Sequence, residues 1–251
     1  VNIHDLAWGN EGLWAVNTLF SCLSLINDDY SFTPKWQPHF IETLSPQDSC
    51  HLNGLAINQG KPAYVTTLGK GNGASKWRKN IAEFNGTLID VDSNQIILDN
   101  LPFPHSPRVY DGKTYLLLSA TGELVEADIE KGSYAVLNRV SGFARGMSKL
   151  GDYLFIGLSK IRKKSSTFKE LPIADKSIFS GVMVIHLPTA AIVGHIKYET
   201  SVDEIYDVQV LPNLQRPGIL NHQTDDFRKA LITPTDTYWA TDKSDSSQTR
   251  Q

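Results

Sequence analysis

Cys50-His51-Leu52-Asn53-Gly54-Leu55-Ala56-Ile57 runs into Asn58-Gln59-Gly60-Lys61 and then into Pro62-Ala63-Tyr64-Val65-Thr66-Thr67. Two short apolar runs flank a polar, Gly-containing turn, which reads as a strand, a tight turn and a second strand. The same order recurs from Ile3-His4-Asp5-Leu6-Ala7-Trp8 to Leu13-Trp14-Ala15-Val16, and from Pro104-His105-Ser106-Pro107-Arg108 to Thr114-Tyr115-Leu116-Leu117. It recurs again from Phe143-Ala144-Arg145-Gly146-Met147 to Tyr153-Leu154-Phe155-Ile156. A fifth start, Ile205-Tyr206-Asp207-Val208-Gln209-Val210, has no clear second strand. With His4, His51, His105, Arg145 and Tyr206 taken as equivalent points, the repeat is about 40 to 60 residues long. Two to four short strands in such a period are the signature of a β-propeller.

The third unit is the most complete, with four strands and three tight turns between Pro104 and Leu137. The first gives strands near 3–8, 13–18 and 20–26, then a Pro-broken stretch over 30–40 suited to an outer strand or ordered loop. The fourth carries a basic insertion at 160–166 before its outer strands. The expected fold class is therefore all-β: a β-propeller with about four recognisable blades plus an extra inner strand, part of a six- or seven-bladed ring. Residues 1–240 form the propeller domain, and 241–251 read as a disordered tail. Either the chain closes on itself with few blades, or further blades lie upstream or on a second chain.

A net charge of −3 and 20% charged residues give no electrostatic case for nucleic acid or an anionic membrane surface. No apolar run approaches the length of a membrane span, and the sequence itself contains no signal peptide, so a cytoplasmic location is expected. Cys22 and Cys50 read as two buried thiols, with a single bridge possible only in an oxidising compartment. Gly69-Lys70-Gly71-Asn72-Gly73-Ala74-Ser75 superficially resembles a phosphate loop. Such a loop should open an apolar helix, whereas Lys76-Trp77-Arg78-Lys79-Asn80 follows, so it reads as a flexible rim loop.

The words His4-Asp5-Leu6-Ala7-Trp8-Gly9, Cys50-His51-Leu52-Asn53-Gly54-Leu55-Ala56, Pro104-His105-Ser106-Pro107-Arg108 and Asp207-Val208-Gln209-Val210-Leu211-Pro212 carry a resemblance. The chain resembles a bacterial family of uncharacterised propeller-like proteins, sometimes fused to tetratricopeptide repeats. The resemblance implies a fold and no established activity. More distantly, the His-x-x-Gly-Leu-Ala pattern is similar to NHL and gluconolactonase-like propellers, among which some lyases hold an axial metal with three His beside an Arg and a Tyr.

In a propeller, side chains at equivalent inner-strand starts converge on the central channel. His4, His51 and His105 are therefore candidate ligands for Zn, Mn, Fe or Cu. Arg145 could grip a carboxylate, and Tyr206 or Asp207 could act as a general acid or base. Asn53, Arg108 and Lys160 are candidate ligand-binding residues on the same rim, and Asp5 a carboxylate that could orient one ring. His39, His186, His195 and His222 fall in outer strands or loops. Trp8 and Trp14 read as inter-blade core.

Two functions fit this pattern. One is a metal-dependent lyase or hydrolase acting on a small anionic or carbohydrate-like substrate at the propeller axis. The other is a non-catalytic propeller platform for a protein or peptide.

Overall fold

The computed structural model describes residues 1–161, 168, 170–176, 179–200, 202–215, 217, 223, 225–233 and 237–239. These fall into two compact units, Val1–Val210 and Leu211–Gln251.

The first unit holds four four-stranded antiparallel sheets, each built from strands consecutive in sequence. The first sheet is β1 (Ile3–Gly9), β2 (Gly12–Asn17), β3 (Cys22–Ile26) and β4 (Thr33–Trp36). The second is β5 (Leu52–Asn58), β6 (Lys61–Thr67), β7 (Gly86–Asp90) and β8 (Gln95–Leu101). The third is β9 (Pro104–Tyr110), β10 (Lys113–Leu118), β11 (Glu123–Asp128) and β12 (Ser133–Arg139). The fourth is β13 (Phe143–Leu150), β14 (Tyr153–Ser159), β15 (Ser180–His186) and β16 (Ala191–Tyr198). β5 packs against both β1 and β9, and β9 against β13, so the first strand of each sheet is the innermost. Meander sheets with neighbouring inner strands are the arrangement of a β-propeller.

Turn chemistry sets the inner hairpins. Gln59 and Gly60 both have positive φ, at 50° and 77°, as do Asp111 and Gly112, at 52° and 76°. Two consecutive left-handed residues make the turn whose twist matches the flanking strands. Packing then fixes the faces. In β10, Leu116 and Leu118 enter the core shared with the second sheet, while Tyr115 and Leu117 enter the core shared with the fourth. Both faces are buried, so the strand reads as a continuous apolar run despite its period of two. Trp14, Val16, Leu23, Leu52 and Val65 fill the space between the first two sheets.

Several expectations change. Trp14 is core at 5% exposure, but Trp8 is 75% exposed. β3 begins at Cys22, because Ser21 sits at φ 52° and breaks the run. β5 begins at Leu52, and His51 precedes it at φ 51°. Cys22 and Cys50 are free and buried, and burial pushes the Cys50 thiol up to about 12.

Residues 205–210, the anticipated extra inner strand, pair with no strand. Hydroxyls of β13 and β14 replace the ladder. Ile205 N donates to Ser159 Oγ at 2.9 Å and Val210 N to Ser148 Oγ at 3.1 Å. The segment lies so close to β13 that a Cβ on Gly146 would stand 2.5 Å from the Asp207 Cα.

In the second unit, β17 (Ala230–Ile232) and β18 (Thr237–Trp239) form a hairpin after a 3-10 turn at Asp225–Lys229. All four propeller sheets lie in the first unit. The expected tail, 162–166 of the basic insertion and His222 lie outside the described residues. No helix among the described residues is long and apolar enough to cross a membrane.

Candidate functional site

Five backbone carbonyls at the inner-strand starts each accept a side-chain hydrogen bond from the preceding unit. Thr18 Oγ1 donates to Leu52 O at 2.6 Å, and Asn53 Nδ2 to Pro104 O at 3.0 Å. Ser119 Oγ donates to Ala144 O at 2.6 Å, and Ser159 Oγ to Ile205 O at 3.0 Å. Tyr206 Oη donates to Ile3 O at 3.4 Å, which brings the fifth segment back to the first sheet. The residues that follow these carbonyls are His4, Asn53, His105, Arg145 and Tyr206. They are the structurally equivalent set, so in the second unit Asn53 takes the position that sequence spacing gave to His51. β1 and β13 carry register shifts spanning His4 and Arg145, and bulges of this kind re-aim side chains at the ends of strands.

The bonds of the three imidazoles fix their tautomers. The single Thr18 hydroxyl proton goes to Leu52 O, so Thr18 Oγ1 accepts from His4 Nδ1 at 2.6 Å. The single Ser119 proton goes to Ala144 O, so Ser119 Oγ accepts from His105 Nδ1 at 2.8 Å. His105 Nδ1 also donates to Phe103 O at 3.1 Å. His51 Nδ1 faces both oxygens of Asp48, at 3.0 and 3.1 Å. Each ring thus anchors Nδ1–H on a fixed acceptor, and a neutral ring so held presents Nε2 as a bare lone pair.

His4, His51, His105, Arg145 and Lys160 line one cavity of about 540 Å3, closed on its apolar side by residues including Trp77 and Phe143. The His4 and His51 rings meet edge-on at 4.7 Å. Burial, then the neighbouring His51 and Arg145 charges, lowers the His4 imidazole to about 3. Burial and Arg145 push His105 well below its ordinary value. Arg145 stacks on Tyr206 at 3.9 Å and donates to Glu204 at 2.9 Å. The Tyr206 ring lies 5.8 Å from His4, and burial raises its phenol against the pull of Arg145. Lys160 reaches Asp203 at 3.5 Å.

Asn53, Arg108, Tyr206 and Asp207 do not line this cavity. The Asn53 amide donates to Pro104 O and accepts from Thr66 Oγ1 at 2.7 Å. Arg108 grips Asp5 through two bonds, at 2.8 and 3.2 Å, and also donates to Leu55 O and Pro107 O. Burial opposes its charge, and Asp5 more than restores it, leaving Arg108 firmly protonated. Asp5 also accepts from Leu6 N and Leu55 N, so it ties β1, β5 and β9 together instead of orienting an imidazole. Asp207 stands 3.9 Å from Arg108, and burial raises its carboxyl.

The ring-orienting carboxylate is Asp48, and it also accepts from Trp77 Nε1 at 3.1 Å. Trp77 packs on His51 at 4.1 Å, and the Arg78 guanidinium covers the Trp77 ring at 4.2 Å. Both come from the 3-10 turn Lys76–Glu83, which directly follows the stretch 69–75 read from sequence as a rim loop. The signal was present as Asp48 three residues before His51. Asp48 and His51 both hold left-handed backbone, at φ 47° and 51°, a conformation that non-glycine residues keep only where the surroundings impose it. Among the described residues, no group of three His, Cys, Asp or Glu side chains is arranged to hold one metal ion.

The family described as "Domain of unknown function (DUF4915)" matches residues 1–220. The chain belongs to the DUF4915 family. The comparison with curated proteins found no match. Among solved structures, the Pan2 WD40 domain of Neurospora crassa is 11% identical with a TM-score of 0.45, over 78% of this chain and 52% of that one. Hydrazine synthase of Kuenenia stuttgartiensis is 12% identical with a TM-score of 0.47, over 78% and 49%. The computationally designed Ika8 protein is 11% identical with a TM-score of 0.44, over 84% and 54%. This DUF4915 chain spans about half the length of each of these three.

Proposed function

We propose that this protein is an enzyme acting on a small anionic or carbohydrate-like substrate in the cavity at the propeller axis, by lyase or hydrolase chemistry. The observation that carries this reading is the common anchoring of His4, His51 and His105 through Nδ1, with all three residues lining one cavity beside Arg145 and Lys160. His51, oriented by Asp48 on strained backbone, is the general base. Arg145 holds the substrate carboxylate, and Tyr206 supports Arg145 through the stacking of its ring. Imidazoles anchored in this way also suit a divalent ion such as Zn, Mn, Fe or Cu, and ligation by all three would draw the rings closer together.

The test is turnover of a panel of uronic acids, aldonic acids and their esters, followed by NMR with and without added divalent metal. The reading expects turnover that His51→Ala and Arg145→Ala each abolish while the fold survives. Turnover unchanged by both substitutions, or none across the panel, contradicts it.

A second reading, a docking platform, draws support from β16. Ile192, Val193, Ile196 and Tyr198 are 45%, 55%, 56% and 42% exposed on one strand, and clustered exposed apolar residues mark interaction surfaces. Under that reading, Ile196→Lys would abolish partner binding, and the cavity substitutions would leave it intact.

A further inference from the structure

The connection between β6 and β7, residues 68–85, is long for a propeller hairpin and carries an unusual charge. In a protein of net charge −3, Lys76, Arg78 and Lys79 fall within four positions of one another. The other cations around the site have carboxylate partners: Arg145 has Glu204 at 2.9 Å, Lys160 has Asp203 at 3.5 Å, and Lys70 has Asp99 at 2.7 Å. Among the described residues, Lys76, Arg78 and Lys79 form no ion pair with a carboxylate.

Arg78 is nevertheless held in place. Its guanidinium lies on the Trp77 ring at 4.2 Å, and Trp77 is fixed by His51 on one side and by its bond to Asp48. Stacking orients a guanidinium without using its N–H edges, which stay available for a planar or tetrahedral oxyanion. Arg78 lines the main cavity with the three imidazoles. A second cavity of about 350 Å3 lies along the same turn, lined by Lys70, Lys76, Lys79 and Asn85, and it shares Trp77 with the first. Glycine lets the loop close on it: a Cβ at Gly71 would stand 2.6 Å from the Lys76 Cβ and 3.0 Å from Ser49 O.

We propose that residues 76–79 form the anion-recognition element of the site, with Arg78 taking one anionic group in the main cavity and Lys76 and Lys79 a second in the adjoining one. The ligand is therefore elongated and carries at least two carboxylate or phosphate groups. This inference rests on the reading of the main cavity as a ligand site.

Calorimetric titration with four probes tests it: glucuronate and glucarate for carboxylates, glucose 6-phosphate and fructose 1,6-bisphosphate for phosphates. In one of the two pairs the probe with two anionic groups should bind at least about tenfold more tightly than the probe with one, the scale of one added charge-assisted contact. That pair identifies the group. Arg78→Gln should weaken both members about tenfold, and the double variant Lys76→Gln, Lys79→Gln should remove only the advantage of the probe with two anionic groups. Circular dichroism would establish that both variants fold. Binding unchanged by Arg78→Gln, a two-anion probe no tighter than its one-anion counterpart in either pair, or no binding of any probe overturns the proposal. Turnover lost in His51→Ala, with these variants binding as wild type, would sink this inference and leave the enzymatic reading standing. Probe binding that follows Arg78 without any turnover would do the reverse.

Discussion

The Ser119 hydroxyl gives its one proton to Ala144 O and therefore accepts the Nδ1 proton of His105, at 2.8 Å. Fourteen residues also separate Thr18 from His4, where the same exchange occurs at 2.6 Å. One hydroxyl thus couples the closure of neighbouring sheets to the tautomer of an imidazole in the cavity. Nitrogen-15 NMR near pH 7.5 should find His4 and His105 as neutral Nδ1–H tautomers. Thr18→Val should release His4 into a tautomer mixture and leave His105 unchanged as the internal control. An Nε2–H signal for His105 in the wild type would refute the assignment.

Arg108 and Asp5 form a two-bond pair whose remaining hydrogen-bond partners are backbone atoms of three strands. Removing one member of such a buried pair leaves the other charge uncompensated, at a cost of about 3–5 kcal/mol. Arg108→Met should lower the urea midpoint accordingly, and adding Asp5→Asn should recover part of the loss. Because neither residue lines the cavity, ligand affinity of the folded fraction should not change. Equal stability of Arg108→Met and wild type would show that the pair does not staple the inner strands.

The depressed imidazoles impose a pH dependence. Unfolded His4 binds a proton below about 6.5, whereas in the folded protein burial delays this to about 3. The unfolded state therefore binds more protons throughout that window, and stability falls as pH drops from 6.5 towards 3. His105 acts in the same direction. Each imidazole contributes at most about 1.4 kcal/mol per pH unit. Urea unfolding at several pH values should show the slope, and His4→Gln should flatten it. An unchanged slope in His4→Gln would mean that His4 is not held neutral.

Asp48 binds His51 and Trp77 together. Asp48→Ala should destabilise the protein by about 1–3 kcal/mol, the cost of leaving such donors unpaired. It should also shift the pH profile of turnover, which a purely structural role would not do. Asp48→Asn should restore stability but not the profile. A profile identical in all three proteins would remove Asp48 from the orientation of His51.

Much of the sheet architecture was legible because both determinants are local. Leu116, Leu117 and Leu118 declare a strand buried on both faces, and Asp111-Gly112 declares its turn. The convergence of His4, His105 and Arg145 followed from repeat spacing alone. His51 reaches the same cavity from outside the equivalent position, through left-handed backbone that no sequence period encodes. Trp77 and Arg78 escaped notice because an inserted connection, not a repeated strand, delivers them. Arg108 was placed in the site because a surface cation and a buried staple look alike in sequence. Only the arrival of Asp5 from 103 positions away distinguishes them.

The central claim is that ligands meet the imidazoles of the axial cavity. The most direct measurement is nitrogen-15 NMR of the described histidines during titration with the uronic and aldonic acid panel. The account predicts that a binding member shifts the Nε2 resonances of His4, His51 and His105 and leaves His39, His186 and His195 in place. Shifts confined to the latter three, or no shift with any member, would contradict it.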